Sequence, residues 1–360
     1  MKVRISFLLL GLLLISLTGC GKILYISKLG WHQGFIAFHS VPVQQVLENE
    51  ELDEAAREKI FFIQEVKDFG ERRLGLKGTN SYSKLFQAES PILHVVTASE
   101  KDRLRLHVWK FPIVGRVTYK GFFTREDALK EKKSLEEMGY DTFVHGVSAY
   151  STLGWLKDPI FSSFLDWKEE ALANLILHEM THGTVYFKGE TEFNEQMATF
   201  IGNRGAIEFL AEKYGPESKE VVEAIRNQED DLLFSEWIDQ ACQRLSSYYG
   251  KEISREGKLG GREEVFRILK EEFRETRARF KTESYRGFEK IDLNNAVLLA
   301  YRRYLHRLQR FEILYGQLGR DVSKVVEYFK TIQASGDKPS SYLDRWLKER
   351  GITVPNPKDN

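Results

Sequence analysis

Only two cysteines occur in the 360 residues, Cys20 and Cys242. If Cys20 is used elsewhere, Cys242 has no partner and an intrachain disulfide is excluded. Net charge is also missing: lysine plus arginine equals aspartate plus glutamate, 53 each, so no global field attracts nucleic acid, which we exclude as a partner. Beyond the first twenty residues there is no apolar run long enough to cross a bilayer, which takes about 20 residues. Gly/Ser or Pro-rich linkers, internal repeats and low-complexity blocks are absent as well, so one domain is the simplest layout. What remains is an ordinary globular composition, 42% hydrophobic and 12% aromatic, in a chain long enough to bury a large core without a staple.

The N-terminus reads MKVRISFLLLGLLLISLTGC. A short basic region with Lys2 and Arg4 precedes an apolar run from Ile5 to Leu17, too short to span a membrane and right for a signal peptide over residues 1–19. LTGC resembles the lipobox of bacterial lipoproteins. That resemblance implies a mature chain beginning at an acylated Cys20, held to a membrane through buried methylenes worth about 0.8 kcal/mol each. Gly21 follows in place of an aspartate, and the expectation is a cell-envelope protein on the outer membrane, facing the periplasm. Cys242 sits among helical apolar positions and reads as a structural cysteine.

Periodicity divides residues 20–350 into four stretches. Residues 21–90 read as helical, with apolar positions three and four apart. Residues 91–165 contain strand-like runs, ILHVVTA, RLHVWKF, RVTYKGFF and TFVHGVSAYST, interrupted by one helix that starts at Thr124, is capped through Asp127 and ends at Gly139. Residues 166–213 carry two helical patterns, and residues 214–350 are helical, with stretches at 217–252, 262–282, 292–315 and 321–333. Residues 351–360 form a tail. The fold class is α+β, mostly helical, with a small sheet followed by the site helices and a C-terminal helical region.

Within NLILHEMTHGTVYFKGETEFNEQ, His178, Glu179 and His182 fit HExxH. On a helix, residues i and i+4 share a face, so two imidazoles can converge on one ion while Glu179, about 100° around, reaches a water beside it. In a chain with eight histidines, a chance match is expected about two times in a hundred. A zinc site needs a third protein ligand and an open fourth position. Glu195, with twelve residues between it and His182, lies in a segment of helical spacing; Glu190 and Glu192 are the alternatives, in a turn that faces water. Zn²⁺ held by His178, His182 and Glu195 would acidify a bound water and polarise a carbonyl, with Glu179 as general base.

A glutamate in the NExxA context of Asn194 to Ala198, downstream of HExxH, resembles the gluzincin metallopeptidases, although the spacing is shorter than is typical of them. Taken together, LTGC, FPIVGRVTYKGFF, GVSAYSTLGWLKDPI, LHEMTHGTVYFKGETEFNEQMATFIG and LNNAVLLAYRRY resemble, over nearly the whole chain, a family of bacterial lipoproteins described as predicted aminopeptidases. The resemblance implies a zincin-like core and peptide substrates. Tyr301 and Tyr304 are candidates for stabilising the oxyanion. Asn194, Asn294 and Asn295 are candidates for orienting the ligands, with helix capping as the rival role. Tyr150, Ser151 and Thr152 are candidates for lining a substrate groove, against a packed turn. His32, His39, His94, His107, His145 and His306 lack partners at useful spacing and read as structural. Removal of N-terminal residues, internal cleavage and a non-catalytic scaffold role all stay open.

Overall fold

The computed structural model describes residues 24–352, apart from 51, 89–90, 112–114 and 148–156. A first helix, α1, occupies residues 24–39. It is followed by β1 (Val41–Pro42), the single turn α2 (Val43–Leu47) and α3 (Glu54–Arg72). Then come β2 (Lys84–Phe86), β3 (Leu93–Glu100), β4 (Trp109–Phe111), β5 (Gly115–Val117) and β6 (Lys120–Phe122). After α4 (Arg125–Glu137), β7 (Tyr140–Val147) and β8 (Ile160–Phe161), the remaining named elements are helices apart from two 3₁₀ turns, Ser162–Phe164 before α5 and Arg286–Lys290 between α8 and α9: α5 (Glu169–Thr184), α6 (Thr191–Tyr214), α7 (Lys219–Tyr249), α8 (Arg255–Arg277), α9 (Asn295–Leu305), α10 (Gln309–Gln317), α11 (Val322–Ser335) and α12 (Pro339–Glu349). The fold is mostly helical with small sheets, as the pattern implies.

The principal sheet is antiparallel, in the order β6-β3-β7, with Val95 opposite His145 and Thr97 opposite Phe143. Strand parity sends Val96 and Ala98 into a small core with Ala128 and Leu135 of α4. The opposite parity places Thr97, Phe143 and His145 on the face that α9 covers, where Phe143 meets Tyr301. A buried bidentate pair, Arg262 with Asp141 at 2.7 and 2.9 Å, ties α8 to β7, and the same carboxylate accepts from the Asn295 N–H at the start of α9. The large core is one cluster running from Ile36 to Leu347, and it includes the inner faces of α3, α5, α6, α7, α9 and α11.

Three boundaries differ from the sequence reading, each for a local reason. The helical stretch assigned to 21–90 ends at Arg72. Gly75 (φ 68°) and Tyr82 (φ 62°) then turn the chain into β2, which pairs with β1 and β8. RVTYKGFF is two strands of different sheets, because β5 pairs with β4 and β6 with β3. The stretch 292–315 is α9 and α10, broken at Arg307 (φ 54°), where Asp239 of α7 accepts from the Arg307 N–H and meets Nδ1 of His306 at 2.5 Å. Helix α6 runs unbroken through Gly202 and Gly205, where the glycines serve close approach to α5. Thr124 does cap α4, accepting from the Asp127 N–H, and Gly139 follows the helix at φ 85°.

His145 makes the fold sensitive to acid. Burial, reinforced by the Arg303 cation, lowers its pKa to about 4 from the ordinary 6.5. Between those values the unfolded chain binds a proton that the native chain refuses. The neutral imidazole's contribution is therefore complete above pH 6.5 and lost as pH falls towards 4. The shift corresponds to about 3 kcal/mol. Denaturant titrations should show the wild type losing about 2 to 3 kcal/mol more than His145→Gln between pH 7 and 4.5. Equal losses in the two proteins would refute this assignment.

Candidate metal centre

Helices α5 and α6 cross at close range, and the sequence makes the crossing possible. A Cβ added at Gly202 would stand 2.9 Å from the Asn174 carbonyl oxygen and 3.2 Å from Cβ of His178; one at Gly205 would meet Leu177 at 2.9 Å. Residues Leu172, Ala173, Ile176 and Leu177 of α5 and Met197, Ala198 and Ile201 of α6 are fully buried around this contact. On the apolar scaffold so formed, His178 and His182 project from α5 and Glu195 from α6.

The three side chains converge on one point. Nε2 of His178 and Nε2 of His182 are 3.1 Å apart, and each lies 3.4 Å from the same oxygen, Oε2 of Glu195. A tetrahedral ion with bonds of 2.0–2.1 Å separates its ligand atoms by about 3.3 Å. The triangle therefore matches one face of a zinc tetrahedron, and the donor set of two imidazoles and a carboxylate suits that ion. Among the described residues this is the one group of His, Cys, Asp or Glu side chains placed to hold a metal. Glu190 is the N-cap residue of α6, and Glu192 lies in its first turn, outside the triangle.

Electrostatics inside the triangle are those of a cation site. Burial opposes ionisation of Glu195, but hydrogen bonds and charge from His178 and His182 outweigh it and hold the carboxyl well below the usual range. Burial likewise disfavours charge on His182, yet Glu195 and then Glu179 raise its pKa. Oε2 of Glu179 is buried without a hydrogen-bond partner among the described residues. That is costly for a carboxylate unless a water or ligand completes it.

The twelve residues between His182 and Glu195 are accommodated by a tight loop. Gly189 takes φ 85°, and the Asn194 carboxamide closes on Phe187, accepting from its N–H at 2.9 Å and donating to its carbonyl at 2.8 Å. Asn194 thus braces the loop and does not bond a histidine. Asn294 is the N-cap of α9, accepting from the Val297 N–H and donating to Thr142, while Asn295 bonds Tyr249 and the carbonyls of Glu100 and Arg103. Of the two roles open to these carboxamides, Asn294 takes the capping one; Asn194 and Asn294 bond backbone groups, and Asn295 bonds the Tyr249 hydroxyl and two carbonyls. Nδ1 of His182 has no partner among the described residues.

The two tyrosines separate. Tyr301 packs among Phe234, Phe288 and Phe143, and burial alone raises its pKa, so it belongs to the aromatic core and not to the site. Tyr304, on the adjacent face of α9, has its ring 6.5 Å from that of His178. Its phenol is raised by burial and then by Glu195 and Glu179. Tyr119, in the turn between β5 and β6, is raised by burial, with Glu195 the largest charge acting on it; Tyr186 just after α5 responds in the same way. Beneath Tyr119 lies Arg303, fully buried, with its guanidinium 4.6 Å from the ring centroid and its Nε unpartnered among the described residues.

Tyr119, Tyr186 and Arg303 went unassigned in the sequence. Their only signal is that each falls inside a segment carrying the family resemblance. One turn before His178, Asn174 bonds Asn203 and lines a polar cavity of about 570 Å³ with Asp231, whose carboxyl is pushed up to about 6 by burial. Cys242 is buried and its thiol is pushed up to about 12. Tyr150, Ser151, Thr152 and Cys20 lie outside the described residues.

Comparison with protein families gives one match: residues 24–341 fit the family described as "Putative aminopeptidase". No curated protein and no solved structure matches the chain.

Proposed function

The chain belongs to the putative aminopeptidase family, a membership that suggests peptide hydrolysis, and we propose that it is a zinc peptidase that removes residues from the N-terminus of peptides. The observation that carries the metal part is the triangle of His178, His182 and Glu195, with sides of 3.1, 3.4 and 3.4 Å. Zinc held there supplies Lewis acidity, polarising the scissile carbonyl and making a water acidic near neutral pH.

The remaining work falls to the chain. Glu179 follows His178 on α5, and its unpaired, buried oxygen takes the proton from the attacking water and delivers it to the leaving amine. Tyr304 and Tyr119 present phenols whose pKa values are raised. They stay protonated and can donate to the oxygen that gains charge as the carbonyl carbon becomes tetrahedral. Cys20 attaches the mature protein to the outer membrane, so the substrates are periplasmic peptides.

The test is metal analysis of purified protein together with cleavage assays. About one zinc per chain is expected in the wild type and far less in His182→Ala. Amino-acid amides and free peptides should be cleaved, and N-acetylated peptides should not. Wild-type protein without stoichiometric zinc would remove the metal reading and favour a scaffold. Equal cleavage of blocked and free peptides would keep the peptidase and make it an endopeptidase.

A further inference from the structure

Helix α1 has two unlike faces. On one, Tyr25 stacks on Phe111 at 5.4 Å, meets Phe122 at 5.5 Å and donates its hydroxyl to the Gly121 carbonyl at 2.8 Å. His32 stacks on Phe123 at 4.7 Å, and Ile36 enters the core. This face fixes the helix to β4, β6 and the start of α4, where Lys28 pairs with Asp127 at 2.9 Å. The other face carries Leu24, Trp31, Phe35 and Phe38, which are 60, 77, 47 and 85% exposed. At 100° per residue these four positions fall within an arc of about 60°, and they extend along about 21 Å of helix. An exposed apolar row of that length on a firmly docked helix marks a contact surface.

We propose that this stripe seats in the surface of a lipid bilayer, with Trp31 and Phe38 as its interfacial anchors. Three observations select a bilayer over a protein. First, tryptophan and phenylalanine on one face of an in-plane helix are the side chains that partition to the headgroup boundary. Second, from Cys20 onward no aspartate or glutamate occurs before Glu48, while Lys22 and Lys28 do. The segment therefore meets an anionic surface without repulsion, and it offers a protein partner no paired charges to set register. Third, Cys20 precedes Leu24 by four residues, a reach of at most about 14 Å. Acyl chains at Cys20 would hold the start of α1 within that distance of the bilayer. The third argument rests on the lipid-anchor reading given above; the first two do not. A helix lying in the interface would give the body one fixed orientation on the membrane, which a flexible tether alone does not.

The test uses the full chain, processed by the expressing cell and reconstituted into phosphatidylethanolamine and phosphatidylglycerol vesicles containing lipids brominated on their acyl chains. Tryptophan emission of the wild type is expected to be quenched about twofold more strongly than that of Trp31→Phe, since only a residue at the interface meets the bromines. The mass of the N-terminal peptide reads acylation separately. An acylated protein with equal quenching in wild type and variant overturns the interfacial helix and leaves the anchor standing. Trp31-dependent quenching in a chain that carries no acyl group supports the helix and removes the anchor. A stable dimer in detergent whose Trp31 is shielded from bromolipid would assign the stripe to a second copy and overturn the proposal.

Discussion

Glu179→Gln should leave zinc content and thermal midpoint unchanged while kcat/KM for peptide substrates falls about 10³ to 10⁴-fold. The substitution keeps the size of the side chain and removes its capacity to accept a proton. Its environment makes the effect specific. Glu179 is outside the ligand triangle, so the metal should survive its loss, and its buried oxygen has no protein partner among the described residues whose hydrogen bond would break. The fall corresponds to about 4 to 5.5 kcal/mol of transition-state stabilisation. Single-turnover kinetics on a free dipeptide amide, with zinc measured on the same samples, would separate the outcomes. Unimpaired turnover would exclude Glu179 as the base, and a variant that loses its zinc would make Glu179 a ligand.

The readable and unreadable parts of this site differ in how far apart their determinants lie. HEMTH is legible because helical periodicity alone puts residues four apart on one face, and Glu195 because its own segment repeats at helical spacing. The rest depends on partners distant in sequence. Tyr119 reaches Glu195's neighbourhood only because β5 and β6 join different sheets, and nothing within RVTYKGFF announces that division. The break between α9 and α10 is imposed by Asp239, 68 residues from Arg307. Without that contact the local pattern of 292–315 is a good helix. Asn194, Asn294 and Asn295 present the same chemistry to a reader of sequence, since capping, loop bracing and ligand orientation all use one carboxamide. Only the position of Phe187, Val297 or Tyr249 opposite each of them decides. Even the two tyrosines of LNNAVLLAYRRY, three residues apart, divide between an aromatic core and the site according to which elements face α9.

Gly202 shows the reverse case, a residue whose sequence meaning is ambiguous and whose structural meaning is sharp. In the sequence, a glycine inside a helical pattern signals only a weaker helix. In the structure it is the place where α6 approaches α5 at the level of His178. Gly202→Ala places a methyl 2.9 Å from a backbone oxygen that cannot rotate away, so the helices must part. Overpacking of this kind costs about 1 to 3 kcal/mol. The larger consequence is chemical. Glu195 lies on α6 and both histidines on α5, so separating the helices lengthens the two 3.4 Å sides of the triangle while the 3.1 Å side within α5 persists. The ion would keep two histidines and lose its carboxylate. Zinc affinity should fall about 10- to 100-fold and activity about a hundredfold, because a displacement near 1 Å at a catalytic group has that effect. Gly205→Ala is the matched control. Its added methyl meets Leu74 and Leu177 side-chain ends at 2.8 and 2.9 Å, which can repack, so it should lose stability without a comparable loss of zinc. Competition with a chromophoric chelator would measure both variants. Equal zinc affinity in Gly202→Ala and wild type would mean that helix separation does not set the ligand geometry.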